Sequence, residues 1–194
     1  PEQGIAASEA LLMDLTLLVQ LPGTRKPWAI ILQSHKHGTG KSSFLTAILQ
    51  GLLRSDFAIL NDIKQLLGTF DPLPRECLAV LIDDAPFSKR ILEKFKAQVS
   101  NKMLSSNKKY QSIVKKNNTV SYYATTNSPI GVMLYDPQQV RRWITLVMNS
   151  LYMDSPDFIA CLMAFAQDPL THRALFEALS EVDMQAKGWI DHHG

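Results

Sequence analysis

Residues 38–42 read Gly-Thr-Gly-Lys-Ser, an order of residue types suited above all to holding a phosphate chain. Gly38 and Gly40 let backbone N–H groups turn inward around an anion, and a helix opening at this point adds the partial positive charge of its N-terminus. In the full pattern, G-x-x-x-x-G-K-[ST], the lysine reaches the β- and γ-phosphates and the hydroxyl is offered to Mg²⁺. Lys41 and Ser42 occupy those two positions, with Thr39 and Gly40 before them and Ser43 after. His35 stands where the pattern has its first glycine, so the entry to the turn departs from it. His35 and His37 are a poor metal set, being two loop imidazoles with no Cys or carboxylate beside them.

Three further places carry residues that serve phosphate chemistry. Asp83-Asp84 ends the apolar run Leu78-Ala-Val-Leu-Ile82, and the carboxyl ends of strands are where open α/β sheets bind ligands. Asp83 is assigned to the metal and Asp84 to the attacking water. Asn127 follows Val120-Ser-Tyr-Tyr-Ala-Thr125 in the same way, and its amide can hydrogen-bond both a γ-phosphate and the lytic water. Arg141-Arg142 precedes Trp143; a guanidinium given to a neighbouring subunit's γ-phosphate stabilises the charge that develops there. Of the two, Arg142 is favoured and Arg141 stays open.

These residues need elements to position them. Leu11, Leu12, Leu15, Leu18 and Val19 recur at helical spacing within Ile5–Gln20, and Leu21–Pro27 is a loop by its turn residues. Trp28–Leu32 is an apolar run of the kind a buried parallel strand gives. After the glycine-rich turn, Phe44, Leu45, Ile48, Leu49, Leu52 and Leu53 fall on one helical face. Leu78–Ile82, Val120–Thr125 and Trp143–Met148 read as further strands, and Leu92 to about Leu104 as a helix. Two helices broken near Asp168-Pro169 follow Pro156. Strands alternating with helices predict a three-layer α/β/α sandwich around a mostly parallel sheet. The expected divisions are a helical flank over 1–24, a core over 25–150 and a helical segment over 151–194.

The composition of the 194 residues is that of a globular domain, with 46% apolar and 20% charged residues and a net charge of +2. A disordered tail, a collagen-like repeat and a coiled coil are excluded, and no apolar run approaches the ~18 residues of a membrane span. Nothing resembling a signal peptide precedes the first helix, and a chain that starts at Pro1 reads as a piece of something longer. Cys77 and Cys161 form neither a disulfide framework nor a zinc motif, which fits a reducing, cytoplasmic setting. The charge is unevenly spread. Between Lys89 and Lys116 nine basic residues stand against Glu93 alone, whereas from Leu151 onward seven acids stand against Arg173 and Lys187. A basic middle implies a polyanionic partner.

The order of motifs resembles that of the superfamily 3 helicases, AAA+-type ATPases of viruses, phages and plasmids. It is most similar to the helicase modules that follow primase or primase-polymerase domains, as in poxvirus primase-helicases. In this likeness, which covers about Leu11 to Met148, Gly38–Ser43 is motif A, Ile82-Asp83-Asp84 motif B and Thr125-Thr126-Asn127 motif C. Lys96–Lys116 corresponds to motif B′, whose basic residues face a central pore. Many members carry Glu where Asp84 stands. The resemblance implies a P-loop NTPase fold of the AAA+ kind and a ring, usually a hexamer, with ATP and Mg²⁺ between neighbours. It also implies an arginine finger in trans and a primase or polymerase domain in the same parent chain.

The basic segment read by itself agrees. Lys108, Lys109, Lys115 and Lys116 flank Tyr110-Gln-Ser-Ile-Val114, an alternation that suits a hairpin arm, and Asn117-Asn118 is a turn signal. With Lys102, these lysines suit phosphate contacts along single-stranded DNA without sequence readout. Tyr110 is either a stacking platform or a structural residue. The expected function is an ATP-dependent DNA translocase of the helicase kind, in a replication protein. The rivals are an AAA+ ATPase that remodels protein partners and a nucleotide-gated DNA-binding module with little hydrolysis.

Overall fold

The computed structural model describes residues 2–67, 77–106, 114–128, 142–151 and 155–190. Its centre is a five-stranded, wholly parallel sheet. The strands are β1 (Ala29–Gln33), β2 (Phe57–Leu60), β3 (Ala79–Ile82), β6 (Ser121–Thr126) and β7 (Trp143–Val147), in the order β2-β3-β6-β1-β7. Ala29 lies opposite both Tyr122 and Trp143, so the strands start and finish nearly level. All their carboxyl ends therefore open on one edge. The inner strands are buried on both faces, which is why they read as unbroken apolar runs.

Helices cover both faces, giving the α/β arrangement expected from the alternation of elements. On one face Ile30, Leu32, Leu81 and Tyr123 pack against α1 (Glu2–Gln20), α2 (Lys41–Leu53) and α6 (Pro169–Ser180), through Leu15, Leu18, Leu45, Leu49 and Leu179. On the other, Ile31, Val80, Ile82, Tyr122 and Trp143 pack against α3 (Ile63–Leu66) and α4 (Lys89–Ser100). Phe95 of α4 anchors this side, stacked on Trp143 at 5.2 Å and edge-on to Tyr122 at 6.0 Å between ring centroids. It is fully buried, and truncating such a ring costs about 3–5 kcal/mol.

A buried polar cluster ties α1 to the sheet. The Asp14 carboxylate accepts from Trp28 Nε1 (2.8 Å) and Tyr123 Oη (2.5 Å) and pairs with Lys26 Nζ (2.9 Å). Burial lowers the Lys26 pKa despite the carboxylate beside it, and burial with the same negative charge pushes Tyr123 well above the ordinary tyrosine value.

Several elements differ from the sequence reading. β2 has no counterpart in the sequence reading; it is a four-residue edge strand with Phe57 and Ala58 half-buried, Ile59 exposed and only Leu60 buried. The helix expected from Leu92 to about Leu104 instead starts at Lys89, where Ser88 Oγ caps the N–H of Ile91, and stops at Ser100. Met103–Ser106 is a strand, β4, paired antiparallel with β5 (Val114–Asn117). Tertiary pairing outweighs helix propensity here: Leu104 is buried opposite Lys116, and Asn118 fastens the hairpin base by donating from Nδ2 to Gln98 O and Asn101 O, each at 3.0 Å. The break between the last helices falls where expected, with α5 (Pro156–Gln167) followed by Asp168, which caps Leu170 and Thr171 of α6. Among the described residues no helix is long and apolar enough to cross a membrane.

Candidate functional site

The glycine-rich turn leaves the carboxyl end of β1 and delivers α2. Gly38 (φ 75°) and Gly40 (φ 79°) both adopt left-handed backbone, and no atom crowds either more closely than ordinary contact, so conformation alone demands glycine there. Gly40 is the N-cap of α2, and the helix's first turn has neither a capping side chain nor an acid. Its free N–H groups and the helix dipole remain for an external anion.

Four segments line a cleft of about 260 Å³: His37–Ser43, the pair Asp83-Asp84 after β3, Thr125 in β6, and Asn127 just beyond it. Lys41, buried at 6% exposure, donates from Nζ to Ser34 Oγ (2.6 Å), Asn127 Oδ1 (2.8 Å) and Thr39 Oγ1 (3.3 Å). Burial lowers its pKa, while the charges of Asp84 and Asp83 act in the opposite sense. The three neutral acceptors take all three ammonium donors but bring no charge to offset the buried cation, which a phosphate would do.

Beside it, Ser42 Oγ donates to Asp83 Oδ1, which also accepts from Thr125 Oγ1 at 2.7 Å. Thr125 Oγ1 in turn accepts the backbone N–H of Asp84 at 2.9 Å. That contact holds Asp84 in left-handed backbone (φ 47°), uncommon for a residue with a Cβ, and turns its carboxylate toward Asn127 Nδ2 at 3.0 Å. The touching Ser42 hydroxyl and Asp83 carboxylate are the hard oxygen donors that magnesium takes, one or two from the protein and the rest from phosphate and water. No cluster of three or more His, Cys, Asp or Glu occurs among the described residues.

The structure therefore brings together Gly38, Thr39, Gly40, Lys41, Ser42, Ser43, Asp83, Asp84 and Asn127. It keeps Arg142 apart. Arg142 immediately precedes β7, at the amino-terminal edge of the sheet, donating to Pro27 O at 3.3 Å, with its buried Nε unpartnered among the described residues. Arg141 lies outside the described residues, as do Lys108, Lys109 and Tyr110. Lys102 and Lys115 are exposed, and Lys116 is half-buried on the Leu104 side of the hairpin, so the lysines of β5 point to opposite faces. Sequence reasoning put Thr125 in motif C but gave neither it nor Ser34 a role, and their hydroxyls join the three strand ends. The available signal was a polar residue at the last positions of an otherwise apolar strand.

The family model described as a family of unknown function, DUF5906, matches residues 32–142. The chain belongs to DUF5906. The match runs from the end of β1 through both carboxylates and Asn127 to Arg142, so it contains every site residue named above. Among curated proteins none matches the sequence. Solved apo structures of the NrS-1 C-terminal region share the fold of this DUF5906 chain. One (305–718) gives a TM-score of 0.71 at 18% identity over 97% of the chain. Two A-form structures give 0.66, at 20% and 19% identity over 91% and 93%. The chain spans less than half the length of those solved chains, 44–48%.

Proposed function

We propose that this DUF5906 chain is the ATPase module of a replication protein, a ring-forming translocase of the helicase kind with a P-loop NTPase core. The observation that carries the reading is the meeting of Lys41, Ser42, Asp83 and Asn127 in one cleft at the carboxyl ends of adjacent strands. The NrS-1 likeness in fold and the motif order support it.

In this reading the α2 N-terminus and Lys41 bind the β- and γ-phosphates, with Lys41 leaving its three neutral acceptors for phosphate oxygens. Ser42 and Asp83 would hold Mg²⁺, which when bound would supply positive charge beside the transferring phosphoryl group. Asp84 and Asn127, already bonded to each other, orient the attacking water. Arg142 of a neighbouring copy completes the site, since its own chain keeps it at the far edge of the sheet. The exposed Lys102 and Lys115, with Lys116 and the sequence-assigned Lys108, Lys109 and Tyr110, contact single-stranded DNA, and nucleotide state shifts the hairpin that carries them.

The test is Mg·ATP hydrolysis against protein concentration, with and without single-stranded DNA, for wild type and Lys41→Ala. A rate per subunit that climbs with concentration, rises with DNA and disappears in the variant is the expected result. A flat, negligible rate alongside measurable ATP binding overturns the motor and leaves a nucleotide-gated binding module.

A further inference from the structure

Asn127 lies at the centre of the cleft, and the four groups around it determine which way its carboxamide faces. Oδ1 accepts from Lys41 Nζ at 2.8 Å and from Ser34 Oγ at 3.2 Å. Nδ2 donates to Asp84 Oδ1 at 3.0 Å and lies 2.9 Å from His37 Nδ1. An amide nitrogen can only donate, so His37 Nδ1 is the acceptor and the imidazole proton sits on Nε2. All four hydrogen-bonding positions of the carboxamide are then used.

The four contacts do not have equal standing during turnover. On the ATPase reading above, Lys41 moves its donors to phosphate, and the Asp84 carboxylate is called on by water. The Ser34 proton is already shared with Lys36 O, at 2.6 Å against 3.2 Å for Asn127. His37 alone has no other task in the reaction. We propose that His37, as its Nε2–H tautomer, is a positioning residue that holds the Asn127 carboxamide with its oxygen toward Lys41 and its amino group toward Asp84. Without it the carboxamide is free to turn once Lys41 has left, and the alignment of water is lost. His37 is exposed, so replacing it leaves the core intact.

Two measurements on the 194-residue chain test this. Long-range ¹H–¹⁵N spectra of ligand-free protein read the His37 tautomer and the Asn127 side-chain amide together. The expected result is an unprotonated Nδ1, with Asn127 amide resonances that move in His37→Ala and return toward wild type in His37→Asn, which offers an acceptor at the same reach. A proton on Nδ1, or Asn127 resonances indifferent to both variants, overturns the proposal. In steady-state hydrolysis His37→Ala lowers kcat on the order of tenfold while KM for ATP stays within about twofold, and His37→Asn recovers most of the loss. Equal kcat in wild type and His37→Ala, or no recovery in His37→Asn, also overturns it. If wild type fails to hydrolyse ATP, the ATPase reading falls and the role of His37 in turnover with it, whereas the spectra still decide whether His37 holds Asn127.

Discussion

Replacing Lys41 by Met should separate the cost of folding from the gain of binding at one residue. In the folded chain the ammonium lies on Ser34, Asn127 and Thr39, and burial drives its pKa down against the pull of Asp84 and Asp83. A lysine whose pKa falls on folding is one whose charge the fold penalises. Methionine keeps the length of the stem, removes the penalised charge and leaves its former acceptors able to bond one another, since Thr39 Oγ1 already donates to Ser34 Oγ at 3.0 Å. The unfolding free energy of ligand-free protein should therefore change by no more than about 1 kcal/mol. The ligand loses a charge-assisted contact worth about 1.5–3 kcal/mol, or roughly 10- to 150-fold in affinity.

The assay is thermal unfolding of wild type and Lys41→Met across a titration of Mg·ADP. At a ligand concentration about 100 times Kd, wild type gains about 2.7 kcal/mol, an upward shift of about 5–11 °C for a chain of this size. With Kd weakened about 30-fold, the same concentration gives the variant about 0.9 kcal/mol, or roughly 2–3 °C. pH supplies an independent check of sign. Between the depressed folded value and the ordinary 10.5 the unfolded chain binds more protons at Lys41, so stability rises with pH, and Lys41→Met should flatten that rise. Lys26 contributes in the same direction in both proteins. A variant that loses more than about 2 kcal/mol without ligand, yet keeps the full ligand shift, would refute the reasoning and make Lys41 a structural residue.

Other consequences are more local. A Cβ at Gly51 would lie 2.5 Å from His172 Cδ2 and 2.6 Å from Cγ, and that ring is held edge-on to Phe165. Gly51→Ala should thus lower the urea midpoint at unchanged m, by about 1 kcal/mol, although alanine is the better helix former. Asp84→Gly and Asp84→Ala should both abolish hydrolysis, with the Gly variant the more stable by about 1 kcal/mol in denaturant titration because φ is 47°. Lys102→Ala with Lys115→Ala should reduce the salt slope of single-stranded DNA binding by about 1.4. Mixing Lys41→Ala with Arg142→Ala protein, each inactive alone, should restore about a quarter of wild-type turnover, because one interface in four then joins an intact cleft to an intact guanidinium.

The sheet strands that hold the cleft were legible because each is buried on both faces and therefore reads as an apolar run closed by polar residues: Gln33-Ser34, Asp83-Asp84 and Thr126-Asn127. β2 escaped because a half-covered edge strand of four residues carries no such contrast. Met103–Ser106 escaped because its conformation is decided by a partner strand eleven residues on and by Asn118 beneath it, neither of which is a local signal. Within the site, residue types announced the donors and the carboxylates. The hydroxyl links through Ser34 and Thr125, and the part played by His37, depend on which side chains meet across three strand ends, and no spacing rule encodes that.

The same geometry explains why Arg142 cannot serve its own chain. In a parallel sheet all carboxyl ends share one edge, and Arg142 enters β7 at the other. Five residues at about 3.3 Å each separate the two edges by about 16 Å, more than an arginine side chain spans. A copy whose amino-terminal edge faces the cleft of the next copy removes that distance, and repeating the contact makes the interface heterologous, the kind that closes into a ring or extends into a filament. The rotation that relates one copy to the next decides which of the two forms. In such an assembly the weak 3.3 Å contact from Arg142 Nη1 to Pro27 O is the one that a neighbour's phosphate would replace.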